Sequence, residues 1–265
     1  MATAALLAAL ALLIVRWAPA WLDDPSGLKN ADQRAAERGR VRTSLITLAA
    51  GAVAAIGALY TARTFSLNRR GQVTERFTRA VDQLASRELS IRLGGIYALE
   101  QLAADSAREH ATILEILTAF VRGKGKGSAT PAADVQAVAT VLARRRLAHE
   151  RGRPPALDLG EADLRSVRAE GLVLRGARLT RARLEDANLL AADLRDAGLV
   201  EAHLERATLR RADLRGAHLQ RAWLAGANLA EAKLGDANLQ GARYDSLTVW
   251  PDGFDAGAAG AESIP

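Results

Sequence analysis

The C-terminal part of the chain repeats an apolar pattern with a period of five residues. With the centre of each repeat called position i, steps of five from Leu159 to Tyr244 give eighteen centres, of which sixteen are leucine. Position i−2, two residues before each centre, is alanine in fifteen of the eighteen repeats. Such regularity predicts a solenoid in which every short unit contributes the same inward-facing residues.

Neither an α-helix nor a flat strand accommodates this period. In an α-helix five residues advance by about 140° net, so the leucines would spiral around the helix and form no apolar stripe. In a strand an odd period sends each successive leucine to the opposite face. The pattern instead predicts a chain that turns a corner every five residues, with positions i and i−2 pointing inward on each side.

Four such sides close a coil, and stacked coils pair their backbones at a spacing of about 4.8 Å. Small alanine and larger leucine side chains then alternate in a narrow interior. The core leucines that this geometry predicts are Leu164, Leu184, Leu189, Leu194, Leu204, Leu214, Leu224 and Leu229.

The repeat resembles the pentapeptide-repeat family, whose motif is A(D/N)LXX. Segments such as ADLRS, ANLLA, ADLRD and ANLQG match this motif, and the resemblance covers residues 157–244. It implies a right-handed quadrilateral β-helix. Position i−1 departs from the motif's Asp or Asn at several places, among them Arg178, Arg183, His203, His218, Trp223, Lys233 and Arg243.

The repeat and its C-terminal cap are assigned to residues 154–255, followed by a flexible tail at 256–265. The segment YDSLTVWPDGFD (244–255) looks like the closing segment of such proteins, and Trp250 and Phe254 are expected to cover that end of the rod. Both ends of a solenoid expose unpaired backbone groups and need caps. The preceding helical segment is expected to cover the other end.

Two stretches near the N-terminus predict transmembrane helices. Residues 43–62 are twenty residues without a charge, about the length that spans a bilayer, although their Ala and Gly content makes them only moderately hydrophobic. Residues 1–22 predict a second helix, with Arg16 reaching the interface beside Trp17 and Trp21. The alternative for 1–22 is a signal peptide cleaved after APA (18–20), although its start lacks positive charge. The two spans are joined by a basic loop at 23–42.

Residues 63–153 form a basic segment in which apolar residues recur at spacings of three and four, as on one face of a helix. Four clusters predict four amphipathic helices, centred near Val81, Leu99, Leu117 and Val138. With 16 basic and 9 acidic residues the segment carries a net charge of +7, which suits the anionic inner leaflet of a membrane. The predicted location is therefore the bacterial inner membrane, with the C-terminal domains in the cytoplasm.

A twenty-residue coil predicts which outward residues stack. Glu161, Arg181, Glu201 and Arg221 fall on one line with alternating charge, which is mildly favourable. Arg175, Arg195 and Arg215 fall on another and form a candidate interaction surface for an anion or an acidic partner. The alternative is that the nearby Asp193 and Asp213 neutralise them.

The chain has no cysteine, which excludes disulfides and thiolate chemistry, and no base–nucleophile pair or metal cluster is apparent. The N-terminal part resembles a membrane-anchored branch of the family. Together these features predict a non-enzymatic, membrane-anchored interaction scaffold without a cofactor. Its partners are then the membrane and an unidentified protein, with no nucleic acid.

Some pentapeptide-repeat proteins are DNA mimics that bind gyrase and protect it from quinolones, and the resemblance makes this the alternative function. That function needs a strongly acidic rod, whereas residues 154–265 carry 14 basic and 17 acidic residues, a net charge of only −3.

Overall fold

The structure, a computed structural model, describes residues 31–124, 132–145, 147–150, 155 and 157–265. The chain divides into two compact units, Met1–Val73 and Thr74–Pro265. The predicted helix or signal peptide at 1–22 lies outside the described residues.

Helix α1 (Ala31–Leu84) occupies the described part of the first unit and continues into the second. Residues 31–42 are therefore helical, which corrects the prediction of a loop at 23–42; apart from Gly39 they contain mostly residues that favour helices. No described helix is both long and apolar enough to cross a membrane, so the transmembrane helix predicted at 43–62 is not supported. Thirteen of those twenty residues are Ala, Gly, Ser or Thr, which add little hydrophobicity.

The second unit begins with a small helical domain that contains all four predicted amphipathic helices. After the end of α1 come α2 (Leu89–Asp105), α3 (Ala107–Arg122), α4 (Ala133–Arg144) and a short 3₁₀ helix (Leu147–Glu150). The spacing of three and four residues forms one apolar stripe on each helix, and these stripes pack against one another. The side chains buried most completely are those of Ile96, Leu99, Ile113, Leu114, Leu117 and Val138.

A glycine sets the distance between α2 and the end of α1. A Cβ atom added to Gly95 would lie only 2.8 Å from both the Ala80 carbonyl oxygen and the Leu84 backbone nitrogen. The neighbouring Gly94 is exposed, and the nearest atom to its added Cβ is the Gln83 side-chain oxygen at 4.0 Å. The two glycines therefore differ in the room available for a side chain, although they lie in the same helix.

We expect Gly95→Ala to lower the free energy of unfolding by about 1–3 kcal/mol, because the backbones must move apart. Gly94→Ala is the matched control and should raise it by about 0.5–1 kcal/mol through helix propensity. Urea denaturation of the full chain measures both. Equal effects of the two substitutions would contradict the close approach at Gly95.

The repeat forms a rod of stacked coils in which residues twenty apart pair in parallel. Bridges of this register run from Asp158↔Arg178 to Trp223↔Arg243. The backbone N–H of Leu204, for example, donates to the Trp223 carbonyl oxygen at 2.8 Å. Twenty residues per coil is the period that four five-residue sides require.

The corners of the coil have a backbone conformation that the apolar pattern does not reveal. The residue at i+2 has positive φ at every corner from Glu161 (58°) to Gly241 (68°), and only five of these residues are glycine. The N–H at i+3 donates back to the carbonyl at i, as from Ala202 to Leu199 at 3.1 Å. Each corner is thus a tight turn whose third residue is left-handed, a conformation that usually favours Gly or Asn.

The interior is filled as the period predicts. The eight leucines chosen from the sequence are all buried, and the most accessible of them, Leu164, exposes 6 % of its surface. Alanines at i−2 such as Ala202 are also fully buried. Positions i and i−2 therefore form the interior of the rod.

The C-terminal end of the rod is closed by aromatic side chains and by the chain terminus. Trp250 packs edge-on against Tyr244 at 5.4 Å and stacks on Phe254 at 5.3 Å between ring centroids. Strand β2 (Glu262–Ser263) pairs in parallel with β1 (Arg243–Tyr244), which differs from the flexible tail expected at 256–265. The reason is that the last coil leaves free backbone groups, and the tail supplies partners such as the Glu262 N–H for the Ala242 carbonyl at 2.7 Å.

The helical domain packs against the first coil at the other end, as predicted. The Gln136 side chain of α4 donates to the Arg168 carbonyl at 2.8 Å and accepts from the Arg168 N–H at 2.9 Å. Arg122, at the end of α3, forms an ion pair of 2.7 Å with Asp158. A strand-like backbone edge is thereby covered by side chains of the helices.

Candidate interaction surface

The outward side chains of the rod form ladders along its length. In the predicted ladder at i+2, the Arg181 Nε atom donates to Glu201 at 2.7 Å, and the Arg221 guanidinium lies 3.6 Å from the other oxygen of Glu201. The hydrogen bond from Arg181 holds the pKa of Glu201 below its ordinary value. The alternating charges therefore interact as the register predicts.

The predicted column of Arg175, Arg195 and Arg215 is paired with carboxylates. Arg195 and Arg215 each donate from Nε to the aspartate two residues earlier, at 2.8 Å in both cases. Arg175, whose neighbour at that position is a valine, lies 3.7 Å from Asp196. The geometry therefore favours the alternative in which aspartates neutralise this column.

Most other arginines of the rod also have a close acidic partner. The Nε and Nη2 atoms of Arg206 each donate to the Asp186 carboxylate at 2.7 Å. This hydrogen bonding lowers the pKa of Asp186. Arg210 and Arg211 converge on Glu231 at 2.9 and 2.6 Å. These exposed pairs make the surface close to neutral, and each adds little stability.

One corner of the rod carries an open groove of about 530 Å³. We call it the corner groove, and it lies between the i+2 ladder and the i−1 column of the next side. It is lined by Glu161, Arg181, Arg183, Glu201, His203, Arg221, Trp223 and Arg243.

A column of planar side chains forms one wall of the corner groove. The His203 and Trp223 rings are parallel within 4° at 6.0 Å between centroids. The Arg243 guanidinium lies over the other face of the Trp223 ring, 4.4 Å from its centroid, in a cation–π contact. Sequence reasoning noted these residues as departures from the motif but not as a column, although Arg183, His203, Trp223 and Arg243 are spaced twenty apart.

Buried polar groups in the helical domain join its elements. Asp134, fully buried at the start of α4, accepts from Arg92 Nε at 2.8 Å and lies 2.6 Å from Lys124 Nζ. Burial by itself raises the pKa of Asp134, but the hydrogen bonds and charges of Lys124 and Arg92 outweigh it, so the pKa lies below its ordinary value.

Buried His110 lies between two acceptors, the Ala103 carbonyl at 3.0 Å from Nδ1 and the Glu150 carboxylate at 3.2 Å from Nε2. Arg145 also bonds Glu150, at 2.6 Å. These groups tie the 3₁₀ helix to α3 and to the end of α4, a structural role. Among the residues that the structure describes, no group of His, Asp and Glu has the arrangement of a metal site.

Comparison with known proteins places the repeat in a family. The family model described as "Pentapeptide repeats" matches in eight copies, over residues 158–196, 187–223 and 212–243. The chain is similar to a pentapeptide repeat protein of the Arabidopsis thaliana thylakoid lumen, with 28 % identity over 34 % of this chain and 63 % of that one, at a TM-score of 0.33. The match thus spans less than two thirds of that protein.

Two further solved structures are similar. Rfr23 of the cyanobacterium Cyanothece 51142 is 31 % identical over 38 % of this chain and 68 % of its own, at a TM-score of 0.24. QnrB1, a plasmid-mediated fluoroquinolone resistance protein, is 20 % identical over 42 % of this chain and 59 % of its own, at a TM-score of 0.23. No curated protein matches the chain.

The coil register and buried interior define the C-terminal region as a parallel β-solenoid, and the matched repeats imply that it is right-handed. With the matched repeats, they show that this chain belongs to the pentapeptide-repeat family.

Proposed function

We propose that this protein is a non-enzymatic interaction scaffold, whose rod presents a rigid outer surface to a protein partner. The observation that carries the proposal is the contrast within that surface. Most of its arginines are held closely by carboxylates, whereas the corner groove combines the partly exposed indole of Trp223 with Arg243, which has no ion pair among the described residues, and Arg221, whose ion pair is long at 3.6 Å. Trp and Arg are the residues that most often dominate protein interfaces.

The construction of the rod supports this function. Its interior is filled with alanine and leucine, so the inward residues are not available to a ligand. Hydrogen bonds between coils hold the outward residues in fixed columns, for example from His203 to Ala182 at 2.9 Å. A surface ordered before binding loses less conformational entropy when a partner docks.

The gyrase-binding alternative has less support. The rod bears many arginines, and residues 154–265 carry a net charge of only −3. A surface of paired opposite charges does not reproduce the continuous negative charge of DNA.

The predicted location at the inner membrane, with cytoplasmic C-terminal domains, stays a proposal. It is supported by the exposure of large apolar side chains in α1, such as Leu48 and Leu59, each with 71 % of its surface accessible. Exposed apolar surface of this extent favours contact with lipid or with another protein. Recovery of the full chain only in the soluble fraction of lysed cells would rule the location out.

The scaffold function is tested by affinity capture with the full chain and three double variants. The variants are Arg221→Gln/Arg243→Gln, Arg195→Gln/Arg215→Gln and Arg210→Gln/Arg211→Gln, which remove the same charge from different parts of the rod. We expect one captured protein to bind the wild type and two of the variants but not the third. That protein is then identified, and the same pattern of binding is expected with purified components. Equal melting temperatures of all four chains serve as the control for folding.

If no captured protein depends on any of the three surfaces, the rod is not the site of interaction and the scaffold function is wrong.

A further inference from the structure

Two arginines of the corner groove, Arg221 and Arg243, have a long ion pair or none, whereas most arginines of the rod have an ion pair of 3.2 Å or less. The nearest carboxylate oxygen to Arg221 is that of Glu201 at 3.6 Å, and 68 % of the Arg221 side chain is accessible. Arg243 forms no ion pair with any carboxylate in the described part of the chain, and its contact is with the Trp223 ring. One guanidinium group therefore lies on the indole, and a second lines the same groove with most of its side chain exposed.

The local backbone keeps this site open. The corner residue that follows Arg221 in its ladder is Gly241, with φ of 68°, so the next coil places no side chain over the Arg221 guanidinium. Glu262 of strand β2 is the nearest acidic group to that space, with an oxygen 3.9 Å from where a Cβ of Gly241 would lie. Neither Arg221 nor Arg243 is in ion-pair contact with it.

We propose that Arg221, Trp223 and Arg243 form a docking site for an acidic segment of a partner protein. A guanidinium binds a carboxylate through two parallel hydrogen bonds, and both arginines have donors free for this geometry. The exposed part of the Trp223 indole supplies apolar contact area for the rest of the segment. The inference rests on the proposed scaffold function and specifies the chemical character of the partner segment.

The charges around the site favour a protein segment over a nucleic acid. A nucleic acid needs a continuous line of positive charge for its phosphates. The corner groove interrupts that line with Glu161 and Glu201, and Glu185 and Glu205 lie on the adjoining side. A short segment whose carboxylates reach the two arginines does not have to run past these glutamates.

The test is isothermal titration of the full chain with a synthetic pentapeptide of four glutamates around one tyrosine. We expect Arg221→Gln/Arg243→Gln to weaken binding by roughly tenfold or more, since it removes two charge-assisted contacts. Arg195→Gln/Arg215→Gln removes the same net charge from arginines held by Asp193 and Asp213, and should change the affinity by about twofold or less. Trp223→Leu should weaken binding without changing its salt dependence.

Three results would overturn the docking site. They are failure of the wild type to bind the acidic peptide, equal binding of the glutamine counterpart of that peptide, and equal loss in the two arginine variants. Tighter binding of a thymidine oligonucleotide would instead identify a nucleic-acid site. A partner captured through another part of the rod would leave the scaffold function standing while this inference fails, so the two are distinguishable.

Discussion

Replacing Leu204 with alanine is expected to lower the free energy of unfolding by about 2–5 kcal/mol. Leu204 is fully buried in a middle coil, and Leu184 and Leu224 occupy the same inward position one coil before and after it. The loss includes the apolar surface removed from the interior and the cavity left behind. The cavity stays open because hydrogen bonds between coils, such as Leu204 N–H to Trp223 at 2.8 Å, hold the walls in place.

The chain offers a matched control in Leu190, which lies next to inward-facing Leu189 but points outward and keeps part of its surface exposed. Leu190→Ala should cost clearly less, about 1 kcal/mol, because it leaves no enclosed cavity in the interior. Both substitutions are measured by urea unfolding of the full chain. A similar loss at the two positions would contradict the assignment of inward and outward residues.

The second large effect is expected at Asp134 in the helical domain. Asp134→Asn should lower the free energy of unfolding by about 3–5 kcal/mol at neutral pH, because it leaves two cations without their buried counter-ion. Arg92 on α2 and Lys124 after α3 both point at this carboxylate from within 2.8 Å. The substitution therefore weakens the junction of three helices. Asp186→Asn, which breaks an exposed pair with Arg206, is the control and should cost about 1 kcal/mol or less.

The effect at Asp134 has a defined pH dependence. Because the folded-state pKa is lowered, the carboxylate stabilises the fold above its unfolded pKa of about 3.9 and loses this contribution as the pH falls through the folded value. The difference between wild type and Asp134→Asn should therefore be full at pH 7 and shrink as the pH falls below the unfolded pKa of about 3.9. Urea unfolding across this range measures it, and a difference that grows in acid would refute the role of the charge.

The fold of the rod is largely predictable from its sequence, since one period determines which residues point inward. Leu at i and Ala at i−2 are enough to identify the interior and the twenty-residue register. The left-handed backbone conformation at the corners cannot be predicted from the sequence in the same way. Twelve of them carry residues such as Glu201 and Arg211 in place of glycine, so the local preference gives no consistent signal. The repeated turn imposes this conformation through the hydrogen bonds of neighbouring coils.

The ends of the rod depend on contacts between distant residues. The pairing of Glu262 with Arg243 follows from unpaired backbone in the last coil, not from any strand pattern in the tail. The contact of Gln136 with Arg168 likewise depends on how α4 meets the first coil. At the N-terminal side, the absence of charge at 43–62 does not make that stretch strongly apolar, because small residues make up most of it.

The candidate surface was only partly predictable. The twenty-residue register places Arg175, Arg195 and Arg215 in one column. Which carboxylate each guanidinium pairs with depends on side-chain geometry, which the register does not give. The column containing His203 and Trp223 becomes apparent only when the twenty-residue spacing is also applied to the residues that depart from the motif. In a repeat protein the interior is specified by what recurs, whereas a binding site is specified by the outward residues that do not.

The central claim, that a protein partner docks on the outer surface of the rod, is tested most directly by photo-cross-linking in cells. Benzoylphenylalanine is introduced into the full chain at one outward position on each side, at Thr180, His203, Arg210 or Arg195. The account predicts a discrete adduct with one partner protein from one of these positions and none from the opposite side. The expected site is His203, which lines the corner groove beside Trp223. Absence of an adduct at all four positions, in chains that remain folded, would contradict it.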